Sequence, residues 1–127
     1  MVLPKSMRIK GYRCFDHLHR FGIRYYGSSM VLRVVKARPR LLRASYQNLD
    51  SDCRCAVTIS NKVSKKAVIR NRLRRHLHDH LNKRLFRKKQ YADIWVLISL
   101  KPNSNNKPSA PLLEECDILL RQAGLFS

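Results

Sequence analysis

A long amphipathic helix with an arginine-rich side is the feature that most restricts how this chain can fold. Leucines recur at every fourth position, 73, 77, 81 and 85, and predict a helix from about Lys66 to Lys89 with one buried side. Residues 66–75 have the sequence KAVIRNRLRR, with five Lys and Arg side chains. Val68, Ile69 and Leu73 are expected on the buried side. The rest of the chain must therefore cover the leucines and leave the arginines accessible.

The charged side of this helix favours a nucleic-acid ligand. Residues 62–89 contain 12 Lys or Arg and a single acid, whereas a side that serves only solubility mixes both signs. Guanidinium groups present a flat fork of donors that matches phosphate oxygens. At about 100° per residue, one side of the helix collects five polar groups. They are Arg70, Asn71, Arg74, Arg75 and His78.

The overall charge supports the same interpretation. The chain has 27 Lys and Arg against 8 Asp and Glu, a formal charge of +19, which favours a polyanionic partner. An anionic membrane is the weaker alternative, because the longest apolar stretch, Ile94 to Ile98, is far shorter than the ~20 residues that span a bilayer. The N-terminus has no apolar region typical of a secretory signal. We therefore expect a cytoplasmic protein with no membrane partner.

The remaining segments predict an α+β domain over residues 1–127, with helices layered on a small sheet. Residues 1–10 are expected to be a basic flexible arm, 36–51 an exposed hairpin connection and 101–111 a loop. The other predicted elements are a helix over 11–22, strands over 25–35, 53–60 and 92–100, the last at the centre of the sheet, and a helix over 112–123 capped by Gly124.

No catalytic or metal site of the protein's own is predicted. Asp50 and Asp52 can hold at most one hydrated Mg²⁺ weakly, and the acids form no carboxylate cage. His76 and His80 share a helix side but have no third metal ligand, so we expect phosphate contact or solvent exposure. The four cysteines are expected to be reduced, with Cys116 in the core.

A second patch combines aromatic and cationic residues. Aromatic rings beside arginines suit single-stranded nucleic acid, because bases stack on the rings while phosphates pair with the cations. Phe21 is expected in the core, and for Phe15 both a core and a binding role stay open. The patch comprises Phe15, His19, Tyr25, Tyr26 and Arg33.

In order along the chain, these motifs resemble the protein subunit of bacterial ribonuclease P. The segments that carry the resemblance are RIKGYRCFDHLHRFG at 8–22, MVLRVV at 30–35, AVTISNKVSKKAVIRNRLRR at 56–75 and DIWVLISLKP at 93–102, followed by the last helix. The likeness covers nearly the whole chain, from about Arg8 to Leu125. The triplet RNR alone would carry no information, whereas KAVIRNRLRR in this context is specific.

The resemblance implies a two-layer α–β sandwich whose small mixed sheet carries the RNR helix in a left-handed βαβ crossover, the class typified by the second domain of ribosomal protein S5. It also implies the protein component of a ribonucleoprotein endonuclease that removes the 5′ leader from precursor tRNA. Catalysis is then carried by the RNA subunit with Mg²⁺ held through that RNA, and one protein is expected per RNA. A structural, ribosomal-type RNA-binding protein is the alternative.

Two surfaces follow from the resemblance. The RNR surface, expected to bind the catalytic RNA, comprises Lys62, Lys65, Lys66, Arg70, Asn71, Arg74, Arg75 and His78. The leader cleft, expected to hold the 5′ leader and to broaden substrate recognition, comprises Phe15, His19, Val31 and Arg33. The family often has aromatic residues where His19 and Arg33 stand, so charge replaces part of the stacking. Ser64 stands where many members have glycine, and His78 replaces a common arginine.

Overall fold

The computed structural model describes residues 3, 5–42, 53–85, 88–102 and 108–125. Three α-helices and four β-strands make up these ranges, joined by short 3-10 turns. In chain order the elements are α1 (Tyr12–Phe21), β1 (Ile23–Tyr26), β2 (Met30–Lys36), β3 (Arg54–Thr58), α2 (Ala67–Leu85), β4 (Ile94–Leu100) and α3 (Ser109–Gln122). Of these, α2 is the predicted RNR helix. No helix among the described residues is long and apolar enough to cross a membrane.

The strands form one mixed sheet in the order β1-β2-β4-β3. Strand β2 pairs antiparallel with both β1 and β4, while β3 pairs parallel with β4. Helix α2 is therefore the crossover of a parallel βαβ unit, and β4 has a central place, as predicted. The α+β class with a small mixed sheet is confirmed, whereas the left-handed sense of the crossover stays a prediction.

One side of the sheet packs against α2 and α3 in the larger core. Leu73, Leu77, Leu81 and Leu85 are all buried there, at 6%, 1%, 0% and 0% exposure, as their spacing predicts. Burying each leucine contributes about 1.5–3 kcal/mol, which holds α2 on the sheet and orients its polar side outward. Cys116 of α3 is buried in the same core, as expected.

The described residues cover the other side of the sheet only in part. Helix α1 packs Cys14 and Leu18 against Trp95 and Leu97 of β4 in a second, smaller core. This side also carries the alternate residues of β2, and Val31 and Arg33 are half-buried there. The sandwich of sheet and two helices therefore keeps, on its far side, an open strip of sheet beside α1.

Three predictions about the connecting segments are wrong. Residues 25–35 form a hairpin of β1 and β2 around Gly27, because the turn is held from α3: Ser28 Oγ donates to Glu115 Oε1 at 2.7 Å and Ser29 N donates to Oε2 at 2.9 Å. The segment after β2 is no hairpin connection, since β4 lies between β2 and β3. Helix α3 begins at Ser109, within the range predicted as loop.

The N-terminal segment differs from the predicted flexible arm. Leu3, Met7 and Ile9 are buried, and Arg8 forms a parallel bridge with Cys55 of β3. Strand β3 lies at the edge of the sheet, so this segment pairs with an edge that would otherwise be open. The buried Arg54 fastens the segment, because its Nη1 donates to the carbonyl of Arg8 at 2.7 Å.

Two apolar side chains predicted in the core are exposed. Val68 is 70% exposed and Phe21 is 68% exposed. Val68 lies in the first turn of α2, nine residues before the buried Leu77 and therefore about 180° around the helix from it, on the side away from the core. Phe21 is the last residue of α1, where the helix has passed the part of the sheet that Cys14 and Leu18 cover.

Candidate RNA-binding surfaces

The start of α2 brings most of the RNR surface to solvent. Lys62, Lys65 and Lys66 are exposed in the loop that precedes the helix, and Asn71 and Arg75 are exposed on its first three turns. Arg70 and Arg74 are half-buried. The loop is anchored by the buried Val63, so its lysines extend from a fixed point on the larger core.

Hydrogen bonds orient the two half-buried arginines of this surface. Arg70 Nη1 donates to the carbonyl of Ser64 at 2.8 Å, and Arg74 Nη1 donates to Asn71 Oδ1 at 2.8 Å. Each bond uses one guanidinium nitrogen and leaves other donors of the fork for a ligand. Ser64, one of the departures from the family pattern, thus contributes its backbone carbonyl to the placement of Arg70.

Contacts with α3 hold α2 from its opposite side. Asp117 Oδ1 lies 2.7 Å from His80 Nε2 and accepts a hydrogen bond from Arg84 Nε at 3.0 Å. Burial alone would raise the pKa of Asp117, but hydrogen bonds from Arg84 and His80 outweigh it and lower that pKa. The expectation of phosphate contact or solvent exposure is therefore wrong for His80, which is buried at the interface of the two helices.

The leader-cleft residues come together beside α1. Phe15 is half-buried against the smaller core, and His19 is exposed one turn further along α1. Val31 and Arg33 are alternate residues of β2 and project from the same side of the sheet. Gly22 permits the close approach of α1 to β2, since a Cβ there would lie 2.4 Å from the carbonyl oxygen of Leu18 and 3.3 Å from Arg33 Cβ. The helix and sheet thus form the two walls of a cleft.

A hydrogen-bonded chain crosses the floor of this cleft. Arg33 Nη1 donates to Ser99 Oγ at 3.3 Å, and Ser99 Oγ lies 2.9 Å from Thr58 Oγ1. These residues belong to β2, β4 and β3, so the chain reaches three neighbouring strands. Ser99 and Thr58 add small polar groups to the cleft that the resemblance did not indicate. Their alternation with buried neighbours in β3 and β4 was the available sequence signal.

The cleft concentrates positive charge. Partial desolvation beside the sheet lowers the pKa of His19, although its ring is largely exposed, and the nearby Arg33 and Arg24 lower it further. Burial and Arg24 likewise lower the pKa of Arg33. An imidazole with a lowered pKa is neutral at physiological pH, so it provides a flat ring beside the arginines. His19 is thus suited to stack on a base where the family often has an aromatic side chain.

A cavity of about 250 Å³ lies between the two surfaces. Phe15 lines it from α1, His78 from α2, and Arg8 and Lys10 from the N-terminal segment. Burial and the nearby Arg74 lower the pKa of His78. His78 therefore differs from the other members of the RNR surface, because it is half-buried and lines a cavity together with Phe15 of the leader cleft.

The thiols and acids give no second type of site in the described part of the chain. Cys14, Cys53, Cys55 and Cys116 are free and buried, and burial raises the pKa of Cys116 to about 12. No group of three or more His, Cys, Asp or Glu suited to a metal ion occurs within the described ranges. Asp50 and Asp52, named above as a weak magnesium pair, lie outside these ranges.

Comparison with known proteins identifies the family. The model of the family described as Ribonuclease P matches residues 3–124 of the 127-residue chain. The chain belongs to the ribonuclease P protein family. It is therefore a protein subunit of ribonuclease P, an endoribonuclease of tRNA processing, and a partner of that enzyme's RNA. No observation favours the alternative of a ribosomal-type protein.

Several relatives of high sequence identity are ribonuclease P proteins of cyanobacteria. The ribonuclease P protein component of Prochlorococcus marinus strain MIT 9313 is 61% identical over 128 residues, which cover 100% of both chains. That of Synechococcus sp. strain WH7803 is 55% identical over 130 residues, with 98% of each chain covered. The likeness thus extends over full chains rather than over one motif.

Solved ribonuclease P protein structures share the fold. The protein of Staphylococcus aureus superposes with a TM-score of 0.74 at 16% identity, covering 95% of this chain and 98% of that one. The protein of Thermotoga maritima gives a TM-score of 0.66 at 16% identity, with 90% and 96% covered. At this identity the superpositions establish the architecture, and the site residues rest on the chain's own geometry.

Proposed function

We propose that the chain binds the catalytic RNA of ribonuclease P through the RNR surface and holds the 5′ leader of precursor tRNA in the leader cleft. The observation that carries the proposal is the separation of the two surfaces. One consists of the loop and first turns of α2, and the other lies between α1 and the open strip of the sheet. One protein can therefore contact the RNA subunit and the substrate together.

The chemistry of each surface suits its proposed ligand. The RNR surface has lysines and oriented guanidinium groups, which bind phosphates without reading sequence. The leader cleft pairs the ring of Phe15 and the imidazole of His19 with Arg33, a combination suited to unpaired nucleotides. Both modes tolerate any sequence, which fits an enzyme that acts on many precursor tRNAs and explains how the protein would broaden substrate recognition.

The division of labour leaves the chemistry with the RNA. In this proposal Mg²⁺ is held through the RNA subunit, and the side chains of this protein bind and position the RNA and the leader. We further infer one protein per RNA, and the cytoplasm as the compartment, because precursor tRNA is the substrate.

The first test removes charge from the RNR surface. Arg70→Ala combined with Arg74→Ala should lower the slope of log affinity against log salt by about two units in binding to the RNA subunit, since each phosphate contact contributes about one. Arg72→Ala is the matched control on the same helix. An unchanged salt slope in the double variant would refute the assignment of this surface.

The second test addresses the leader cleft in the reconstituted holoenzyme. Phe15→Ala should weaken binding of precursor tRNA by about fivefold or more while leaving mature tRNA unaffected, because one base loses its stacking partner. Phe15→Leu separates loss of the ring from loss of core volume, and Phe21→Ala is the control from the exposed end of α1. An equal loss for precursor and mature tRNA would contradict the proposal.

A further inference from the structure

Two residues of β1 continue the leader cleft to the edge of the sheet. In the pairing of β1 with β2, Arg24 lies opposite Arg33 and Tyr26 lies opposite Val31. Side chains of directly opposite residues project from the same side of a sheet. Arg24 and Tyr26 therefore stand on the side that carries the leader cleft, and both are exposed, Tyr26 to 65%.

The strand register places Tyr26 in a row of cross-strand partners that includes one residue of each of the four strands. Tyr26, Val31, Ser99 and Thr58 are consecutive partners, so they form one row over the strands β1, β2, β4 and β3. Adjacent strands lie about 4.8 Å apart, which makes the row about 14 Å long. This partly open row begins at the polar residues Thr58 and Ser99, passes over the apolar Val31 and ends at the ring of Tyr26.

Contacts from α3 and β4 fix the position of this edge. Lys101 Nζ donates to the carbonyl of Gly27 at 2.7 Å, and Glu115 binds the next two residues of the turn. Tyr25, the neighbour of Tyr26, packs against the larger core on the opposite side of the sheet. Tyr26 is thus an exposed ring on a firmly held strand.

The charges around this edge favour an anion. Arg24 and Arg33 are opposite one another on adjacent strands, an arrangement of like charges that destabilises a sheet. Arg24 acts electrostatically on His19 as well. Asp16, the acid that counteracts it at His19, already accepts a hydrogen bond from Arg20 Nε at 3.2 Å. A phosphate held between Arg24 and Arg33 would relieve their repulsion.

We infer that Arg24 and Tyr26 form an edge-strand subsite for a further nucleotide of the single-stranded leader, with its base stacked on Tyr26 and a phosphate held by Arg24 together with Arg33. The subsite rests on the proposed leader cleft and extends it by one strand. A leader too short to reach β1 cannot bind at the subsite, whereas a longer leader gains affinity by binding there. Leader length is therefore the variable that isolates the subsite.

The test compares two precursor tRNAs in the holoenzyme. One has a leader of about two nucleotides, shorter than the ~4–16 nucleotides that single-strand sites occupy, and the other has a leader of about ten, within that range. Tyr26→Ala should weaken binding of the long-leader precursor by about fivefold or more and leave the short-leader precursor unchanged. Tyr26→Phe should retain the affinity, because stacking requires only the ring. Arg24→Ala should lower the salt slope for the long leader by about 0.7 unit, the contribution of one phosphate contact on a single strand.

Tyr12→Ala is the matched control, since Tyr12 is 82% exposed at the start of α1, outside the row. An unchanged long-leader affinity in Tyr26→Ala, or an equal loss for both leaders, would overturn the subsite. Phe15→Ala in the same series keeps the two proposals apart. If Phe15→Ala weakens precursor binding and Tyr26→Ala does not, the subsite alone fails. If neither variant affects the precursor, the leader cleft fails as well.

Discussion

Asp117→Asn tests how the RNR helix is held in place. Asp117 of α3 accepts hydrogen bonds from Arg84 at 3.0 and 3.1 Å and lies 2.7 Å from His80 Nε2. Its side chain is 15% exposed, that of His80 is 10% exposed and that of Arg84 is 34% exposed. The substitution keeps the size of the side chain and removes the charge, so it tests the ionic contacts with little change in packing.

The expected loss follows from the burial of each contact. Hydrogen bonds to charged groups contribute about 1.5–3 kcal/mol when buried, which applies to the contact with His80. The pair with Arg84 is a third exposed, so solvent screening limits it to about 0–1 kcal/mol. We expect Asp117→Asn to lower the free energy of unfolding by about 2 kcal/mol, and Tm by about 8 °C for a chain of this size.

The effect should depend on pH in a defined direction. Because the pKa of Asp117 is lower in the folded than in the unfolded chain, its stabilisation is complete above the ordinary value of about 4. It is lost as the pH falls through the lower, folded value. The difference between the natural chain and Asp117→Asn should therefore be full at neutral pH and shrink on acidification.

Urea unfolding of both proteins across this pH range is the appropriate measurement. Asp16→Asn is the matched control, because the Asp16–Arg20 pair has a similar length of 3.2 Å but an arginine side chain that is 69% exposed. It should change stability by less than about 0.5 kcal/mol. The reasoning is refuted if the two variants are equally stable, or if the effect of Asp117→Asn grows as the pH falls.

Two further substitutions test the packing that positions the surfaces. Leu77→Ala should destabilise the chain by about 2–5 kcal/mol in urea unfolding, because it opens a cavity between α2 and the sheet, whereas Val68→Ala on the same helix should change stability by less than about 0.5 kcal/mol. Gly22→Ala should cost about 1–3 kcal/mol, measured in the same way, since its Cβ meets the carbonyl of Leu18. It should also weaken precursor tRNA binding by displacing α1 from Arg33. If Gly22→Ala lowers the stability but leaves precursor tRNA binding unchanged, the position of α1 does not control binding in the leader cleft.

The periodic parts of the fold were predictable because periodicity reports local geometry. The leucine repeat predicted a helix with its buried side, and all four leucines are buried in α2. The most hydrophobic segment, residues 92–100, predicted a strand at the centre of the sheet, and β4 within it lies between β2 and β3. Both patterns arise because a single helix or strand faces one apolar layer. The residues that form such a pattern are close together in sequence, so the pattern can be recognised without the structure.

The errors occurred where a distant contact decides the outcome. Residues 25–35 resemble one strand in sequence, and Glu115 of α3 helps to hold them as a hairpin. Met7 and Ile9 of the basic N-terminal segment are buried and Arg8 bridges to Cys55, because β3 is an edge strand that offers a pairing partner. In sequence, His80 resembles His76, which shares its side of the helix and is exposed. In the structure, however, Asp117 of α3 binds His80. These contacting residues are distant from one another in sequence, so no local sequence pattern predicts the contacts.

The sequence by itself determined the family, the basic character of the ligand surface and the orientation of α2, because charge and periodicity are properties of neighbouring residues. Only the tertiary structure decided which residues share a surface. Phe15 of α1 packs on the side of the sheet from which Arg33 of β2 projects, and strand register places Tyr26 on that same side. Register depends on hydrogen bonds between strands, and a shift of one residue would turn Tyr26 to the opposite side.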